Sequence, residues 1–415
     1  MSLRRRGSAS SFPNRPTDIP APVGRSRIAG LAVCLLAGLV GACSSDADRP
    51  TAESPTARAV EQPDEDRRAP GRARDRPATG ADRGREGPVF KRVPGVTTAT
   101  AFGSLGAEGL SRWQRDVPRI EDVRIPSSAD GNRQPALWLP PSGAGEPLLV
   151  VLHSWSNQYQ QQVGIPFAQW AQRRGWGMIA PNFRGVNDKP EATGSDLAVQ
   201  DVVDAVDFAI EKATVDRKRV FVIGFSGGGM MSLLMAGRHP ERFAGAVSWV
   251  PVYDLADWHR YNASQVPPRD YADHIAQSCG GDPNADETAR RSCRHRSPSA
   301  HLGAAQAARV PVYIGHGLAD TLVRPDHALR AFNRLADAGD RVPDRSLARV
   351  AGNRLPDHLR GSIGAKAYFG AQDPDVVFSR RSRSTTVVLF GGEHDLVYNP
   401  GLEWISGLAG RAREG

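Results

Sequence analysis

Short, wholly apolar runs alternate with stretches of helical periodicity from about residue 119 to the end of the chain. A run that is apolar throughout is typical of a strand buried on both faces of a parallel sheet. The alternation predicts a mostly parallel sheet covered by helices on both faces, an α/β fold. The predicted strands are 120–125, 134–139, 147–152, 176–181, 218–223, 244–250, 310–315 and 385–390, and the predicted helices are 162–174, 196–213, 227–238, 325–338 and 400–411.

Two parts of this pattern depart from simple alternation. The first two strands have no helix between them, so they are predicted to form an antiparallel edge. Between the sixth and seventh strands, residues 254–305 form an excursion that is predicted to overhang the sheet as a cap. Its aromatic side chains either shape a pocket or form the cap's own small core. The aromatic and histidine residues in question are Trp258, His259, Tyr261, Tyr271 and His274.

The pentapeptide 224–228, Gly-Phe-Ser-Gly-Gly, follows one predicted strand and precedes a predicted helix. This context is typical of a nucleophile elbow, in which a serine stands on a sharp turn between strand and helix. Small neighbours let the two elements approach without a Cβ clash. The motif alone is common, but its context predicts Ser226 as a nucleophile. The N–H of Gly227, at the helix N-terminus, is predicted to stabilise a developing oxyanion.

A serine hydroxyl needs a base to take its proton and an acid to orient that base. Downstream of Ser226, two apolar strands run into loops that carry Asp320 and His394. Both loops follow the carboxyl ends of strands, where ligands bind in open α/β sheets. The sequence therefore predicts Ser226 as nucleophile, His394 as general base and acid, and Asp320 as the carboxylate that orients His394.

Each partner also has a structural interpretation. Asp320 is alternatively a turn residue or a cap for the helix that begins near residue 325, because Asp is a favoured turn residue. Asp326 is the second candidate for the acid, although it falls at that helix start. His394 is alternatively a surface loop histidine. The other histidines that fall in loops are His153, His301 and His316, and His316 is assigned a structural place beside Asp320.

The loop after the third strand is expected to supply a second oxyanion donor. It begins with His153, Ser154 and Trp155. A backbone N–H of Ser154 or Trp155 is the expected donor. The alternative is that Trp155 and Tyr159 only line the pocket.

With these residues, the chain resembles the α/β-hydrolase superfamily. More narrowly, it looks like the catalytic domain of the prolyl oligopeptidase family and its dienelactone-hydrolase and acyl-esterase relatives. The resemblance implies an α/β-hydrolase fold with about eight strands and a cap after the sixth strand, a Ser-Asp-His triad and no cofactor. It covers roughly residues 119–412, and the matching stretches are 181–185, 201–207, 224–228 and 316–320, with Val323 three residues further on.

Two features separate the chain from full prolyl oligopeptidases. Those enzymes carry a large β-propeller, and too few residues precede position 119 for one, since each blade needs about 40–45 residues. The segment 341–383, between the acid and the last strand, has no obvious family counterpart. Carboxylic esters are therefore the expected substrates, and short peptides are the alternative.

The N-terminus carries targeting signals. An arginine-rich stretch precedes a short apolar run that ends at Cys43, which is typical of a signal peptide over residues 1–43. Val40-Gly41-Ala42-Cys43 resembles a bacterial lipobox, which implies lipidation of Cys43 and membrane anchoring in the cell envelope, outside the cytoplasm, or secretion. An uncleaved anchor helix is the alternative. Residues 44–118, rich in Pro and Arg and poor in large apolar side chains, are predicted to be a disordered linker to the catalytic domain 119–412.

Charge and cysteines narrow the partners. Of the net charge of +8, residues 1–27 hold +5 and residues 44–92 hold +1. The folded part is nearly neutral, so no nucleic-acid partner is predicted.

Cys279 and Cys293 are a plausible disulfide in an exported protein. Closing its loop would contribute roughly 3 kcal/mol. Two cysteines without Cys-x-x-Cys spacing predict no metal site.

Together these features predict a lipid-anchored serine hydrolase. It would move the acyl group of a small ester or short peptide to Ser226 and then to water. Two alternatives stay open. Acyl transfer to a sugar uses the same triad, and a hydrolase-like envelope protein would have lost catalysis.

Overall fold

A twisted central sheet dominates the computed structural model, which describes residues 109–361, 369 and 375–414. In this part of the chain the sheet has nine strands in the order β1-β2-β4-β3-β5-β6-β7-β9-β8. From β4 to β9 neighbouring strands run parallel, and antiparallel pairs lie at both edges. The strands are β1 (Glu121–Pro126), β2 (Arg133–Leu139), β3 (Leu148–Leu152), β4 (Gly177–Pro181), β5 (Val220–Phe225), β6 (Gly245–Trp249), β7 (Val312–Gly317), β8 (Val376–Ser382) and β9 (Thr385–Phe390).

Helices cover both faces of the sheet. One hydrophobic core joins the sheet to α3, α4, α8 and α9, and a second core joins the opposite face to α1, α2 and α11. The helices are α1 (Leu110–Asp116), α2 (Ile165–Arg174), α3 (Asp196–Ala213), α4 (Gly227–Arg238), α5 (Leu255–Ala263), α6 (Tyr271–Cys279), α7 (Glu287–His295), α8 (Pro298–Ala307), α9 (Asp326–Leu335), α10 (Asp344–Val350) and α11 (Tyr398–Glu414).

The predicted fold class is confirmed. All eight predicted strands correspond to observed strands, and the five predicted helices correspond to α2, α3, α4, α9 and α11. The pattern missed β8, which lies within the segment 341–383 and pairs antiparallel with β9. That strand is only partly buried, so it lacks the continuous apolar run that marks the central strands.

The packed chain begins earlier than predicted. The disordered linker predicted over 44–118 includes residues that form α1, Leu110–Asp116. Its Trp113 is fully buried in the core that also holds α2, and the indole N–H donates to the carbonyl of Gln160. The predicted signal peptide, the lipidation of Cys43 and the rest of the linker lie outside the described residues and stay predictions. Within the described ranges, no helix is long and apolar enough to cross a membrane.

The excursion after β6 folds into four helices. Three of them, α5, α6 and α7, share a small separate core, and Cys279 and Cys293 join α6 to α7 through a disulfide. The fourth helix, α8, belongs to the layer that covers the sheet, because its Leu302 and Ala305 lie in the main core. The cap insertion is therefore the region of α5 to α7.

The cap aromatics form the cap's own core and also contact the oxyanion loop. The indole of Trp258 meets the indole of Trp155 edge to face, with centroids 4.8 Å apart. Tyr271 packs beside Trp258 at 5.0 Å. Met230 of α4 lies in the same cluster. The cap thus rests on the loop after β3 and on the first turn of the helix that follows Ser226.

A partly buried charged cluster joins the cap to α9. Asp257 of α5 accepts hydrogen bonds of 2.7 Å from Arg324 and from Arg330. Burial would raise the pKa of Asp257, but the surrounding positive charges outweigh it and lower the pKa to about 2. Fully buried His327 accepts the Tyr253 N–H at Nδ1, and its Nε2 lies 3.4 Å from the Asp257 carboxylate. A neutral imidazole with its proton on Nε2 leaves Nδ1 free to accept the Tyr253 N–H.

His327 is expected to make the fold acid-sensitive. Burial, and after it the charge of Arg330, lowers the pKa of His327 to about 3. The unfolded chain, with an ordinary histidine pKa near 6.5, binds a proton below that pH, whereas the folded chain does not until about pH 3. Stability should therefore fall as the pH drops from 6.5 to 4, by up to about 1.4 kcal/mol per pH unit. This window lies above the titration of Asp257.

Urea unfolding of the protein between pH 6.5 and 4 measures this slope. The variant His327→Asn, which keeps an acceptor for the Tyr253 N–H, should flatten it, and His358→Asn at an exposed position should not. Equal slopes in wild type and His327→Asn would show that His327 titrates normally in the folded state.

Candidate active site

Ser226 stands alone between a strand and a helix. β5 ends at Phe225 and α4 begins at Gly227, so the serine occupies the turn with φ 56° and ψ −115°. This is a strained conformation for a residue with a Cβ, and strain of this kind clusters at functional sites. A Cβ on Gly228 would lie 2.2 Å from the carbonyl oxygen of Leu152, so only glycine fits where the helix start meets β3.

The structure brings the three predicted triad residues together. Nε2 of His394 lies 2.9 Å from the Oγ of Ser226, and its Nδ1 lies 2.7 Å from Oδ2 of Asp320. These distances are within hydrogen-bond reach. The Asp320 side chain is fully buried and the His394 side chain is 18% exposed. The imidazole thus lies in line between the hydroxyl and the carboxylate, although 168 positions separate Ser226 from His394.

Sheet order explains why Asp320 and His394 meet. The two loops follow β7 and β9, which are parallel neighbours, so their carboxyl ends lie side by side. Backbone hydrogen bonds then join the loops directly. The Leu318 N–H donates to the Phe390 carbonyl and the Ala319 N–H to the Gly392 carbonyl, both at 2.8 Å.

The Asp320 carboxylate is held by four hydrogen bonds or close polar contacts. Its Oδ1 accepts the N–H groups of Leu322 and Val323, at 2.8 and 3.0 Å. Its Oδ2 is approached by His394 and, at 3.1 Å, by Nε2 of His316. Burial would raise the pKa of Asp320, but the neighbouring His394 and the hydrogen bonds from His316 and His394 outweigh it and hold the pKa well below its usual range. The carboxylate is therefore ionised when His394 needs an anionic partner.

The existing hydrogen bonds show which of the candidate backbone N–H groups are available to bind an oxyanion. The Ser154 N–H donates to Oε1 of Gln161 at 2.9 Å, so it is already satisfied. Within the described residues, the N–H groups of Trp155 and Gly227 have no acceptor. They are close, because a Cβ on Gly227 would lie 2.6 Å from the Trp155 nitrogen. Of the two donors predicted from the loop after β3, Trp155 is thus the better placed, with Gly227 as its partner.

The alternative residues lie elsewhere or do other things. Asp326 is the first residue of α9 and contacts Arg324 at 3.3 Å. The ring of His153 stacks on Phe183, 3.9 Å away. His301 contacts the backbone carbonyl of His295 at the surface. Only His316 touches the acid, as its sequence position suggested.

Sequence reasoning missed the contacts that hold the acid loop from outside. Nδ2 of Asn353, just after α10, donates to the carbonyls of Leu318 and Asp320 at 2.8 and 2.9 Å. The sequence gives one weak signal, because Asn tolerates the left-handed conformation that it adopts here, φ 59°. The segment 341–361, which had no assigned role, therefore supports the loop of Asp320.

This arrangement suits acyl transfer. A carboxylate on Nδ1 fixes the proton there and leaves Nε2 as the acceptor that faces the serine hydroxyl. Two backbone N–H groups without an acceptor among the described residues, those of Trp155 and Gly227, lie next to each other, and Gly227 directly follows Ser226. Within residues 109–361, 369 and 375–414, no group of three or more His, Cys, Asp or Glu side chains is arranged to hold a metal ion.

Comparison with known proteins adds a family match. Residues 167–345 match the prolyl oligopeptidase family. The chain is 26% identical over 250 residues to acylamino-acid-releasing enzyme 2 of Oryza sativa subsp. japonica, covering 56% of this chain and 31% of that enzyme. It is 28% identical over 254 residues to feruloyl esterase B of Neurospora crassa, covering 55% of this chain and 81% of the esterase.

The chain has the α/β-hydrolase fold and is similar to serine hydrolases of the prolyl oligopeptidase type.

The chain also resembles dipeptidyl aminopeptidase BIII of Pseudoxanthomonas mexicana, with 28% identity over 49% of this chain and 29% of that enzyme. It thus spans less than a third of the length of this aminopeptidase and of the acylamino-acid-releasing enzyme. Among solved structures it is similar to an acylaminoacyl peptidase of Pyrococcus horikoshii, with 18% identity, a TM-score of 0.44, and coverage of 59% of this chain and 37% of that one.

Proposed function

We propose that the protein cleaves carboxylic esters through a covalent acyl-enzyme on Ser226. The observation that carries this proposal is the position of His394, with one ring nitrogen at the serine hydroxyl and the other at a buried, ionised carboxylate. This arrangement activates a serine for attack on a carbonyl carbon.

Each step uses a residue already in place. Nε2 of His394 takes the Ser226 proton as the oxygen attacks the ester carbonyl, and Asp320 stabilises the imidazolium that forms. The carbonyl oxygen becomes an oxyanion and accepts the N–H groups of Trp155 and Gly227. The imidazolium then protonates the departing alcohol. A water molecule, activated by the same imidazole, releases the acid and restores the serine.

The choice of esters over peptides rests on the relatives. The match to the feruloyl esterase extends over most of that enzyme, whereas the match to the acylamino-acid-releasing enzyme covers less than a third of its length. Short peptides are the second candidate, because residues 167–345 match a family named for its oligopeptidases.

A paired substrate panel separates the two candidates. Nitrophenyl esters of short and aromatic acids are compared with nitroanilides of prolyl, acylaminoacyl and dipeptidyl groups, and the rate with Ser226→Ala is subtracted. Since nitrophenyl esters are intrinsically more reactive than anilides, methyl esters of the same acids are included. We expect kcat/KM for the alkyl esters to exceed that for every amide. An amide that exceeds all of the esters would make the protein a peptidase.

A further inference from the structure

The cap insertion donates hydrogen bonds to the loop that carries Asp320. Three side chains from α5 and the turn after it donate to two consecutive backbone carbonyls of that loop. Nε1 of Trp258 donates to the Leu322 carbonyl at 2.9 Å. The Tyr261 hydroxyl and Nη1 of Arg269 both donate to the Thr321 carbonyl, at 2.6 and 2.7 Å.

These carbonyls belong to the peptide groups that hold the carboxylate. A trans peptide is planar, with its C=O and the N–H of the next residue pointing in opposite directions. The Thr321 carbonyl therefore shares a rigid plane with the Leu322 N–H, and the Leu322 carbonyl shares one with the Val323 N–H. Both of those N–H groups donate to Oδ1 of Asp320. Each peptide plane is thus fixed at one end by the cap and at the other end by the carboxylate.

The cap donors are themselves held by neighbouring side chains. Trp258 is buried in the core of the cap, and that core also contains the disulfide cysteines Cys279 and Cys293. Two guanidinium groups lie over the ring of Tyr261, with Arg324 at 5.0 Å and Arg269 at 5.5 Å from its centroid. Side chains held in this way impose their geometry on the loop rather than follow it.

We propose that Trp258, Tyr261 and Arg269 are positioning residues for the Asp320 carboxylate. The cap insertion then supports the catalytic acid, in addition to packing on the loop after β3 through Trp155. A carbonyl that accepts a hydrogen bond polarises its own peptide group. The N–H of that peptide group then becomes a stronger hydrogen-bond donor. The cap therefore both aims the two N–H groups and strengthens their bonds to Oδ1, which leaves Oδ2 directed at His394. This inference rests on the proposed function.

Conservative variants separate positioning from folding. Trp258→Phe removes the indole N–H and keeps an aromatic ring, and Tyr261→Phe removes only a hydroxyl. Tyr271→Phe is the matched control, because Tyr271 packs on the same indole and its hydroxyl makes no hydrogen bond within the described residues. Wild type, these three single variants and the double variant Trp258→Phe/Tyr261→Phe are compared. The measurements are kcat and KM on the best ester and the melting temperature. The downfield NMR signal of the His394 Nδ1 proton is recorded for each.

The double variant should lose about tenfold in kcat with KM little changed, since a small displacement of a catalytic group has a large effect on rate. Its Nδ1 proton signal should shift or broaden, while Tyr271→Phe should keep both the rate and the signal. A double variant that is folded and matches wild type in kcat and in this signal would overturn the positioning role. The signal is observed without turnover, so it decides the matter even if wild type proves inactive, an outcome that counts against the proposed function instead.

Discussion

Ser226→Ala should abolish hydrolysis while the protein stays folded. The variant removes the only hydroxyl that His394 contacts among the described residues. Loss of the nucleophile from a triad lowers kcat by at least about 10⁴-fold, and what remains comes from oxyanion donors and substrate binding. Removing one hydroxyl at a strained turn should not lower stability. Steady-state kinetics on the best ester, together with thermal melting, measures both effects.

Ser384→Ala is the matched control for this experiment. Ser384 lies in the turn between β8 and β9, and its hydroxyl donates to the Arg309 carbonyl at 3.3 Å, far along the chain from the elbow. It should keep full activity. If Ser226→Ala retained activity within a few fold of wild type, Ser226 would not be the nucleophile, whatever its distance from His394.

Asp320→Asn should be nearly as damaging as loss of the serine. The amide cannot stabilise an imidazolium, and its NH₂ group favours the wrong tautomer of His394. We expect kcat to fall by about 10³- to 10⁴-fold. Asn keeps an oxygen for the N–H groups of Leu322 and Val323, so the loop should stay in place. Circular dichroism checks the fold and ester kinetics give the rate.

Asp326→Asn tests the other aspartate that the sequence offered. Asp326 is also buried, at the start of α9, but its contacts are Arg324 and Arg330. Its removal should leave kcat within a few fold of wild type. A larger loss with Asp326→Asn than with Asp320→Asn would reverse the assignment of the acid.

The nucleophile elbow could be predicted because its requirements are local. Strand, glycines, serine and helix are consecutive in the sequence, and the strain at Ser226 follows from their order. The places of Asp320 and His394 were predictable for a related reason, because both follow buried strands whose carboxyl ends must share one edge. Parallel pairing of β7 and β9 then brings the loops together.

The supports of the site could not be predicted, because they depend on backbone atoms. The carbonyls of Thr321 and Leu322 are present whatever the side chain, so nothing in the sequence marks them as acceptors for the cap. Trp258 reads equally well as a core residue, and it is one. The choice of Trp155 over Ser154 as oxyanion donor likewise required the position of Gln161, seven residues along the chain.

Labelling with a fluorophosphonate followed by peptide mass spectrometry tests the site most directly. The reagent adds to a serine only when a base has activated it, so we expect a single adduct on the peptide that contains Ser226. The adduct should form far more slowly in Asp320→Asn and not at all in Ser226→Ala. A folded wild-type protein that takes no label, or takes it on another residue, would contradict a catalytic line from Asp320 through His394 to Ser226.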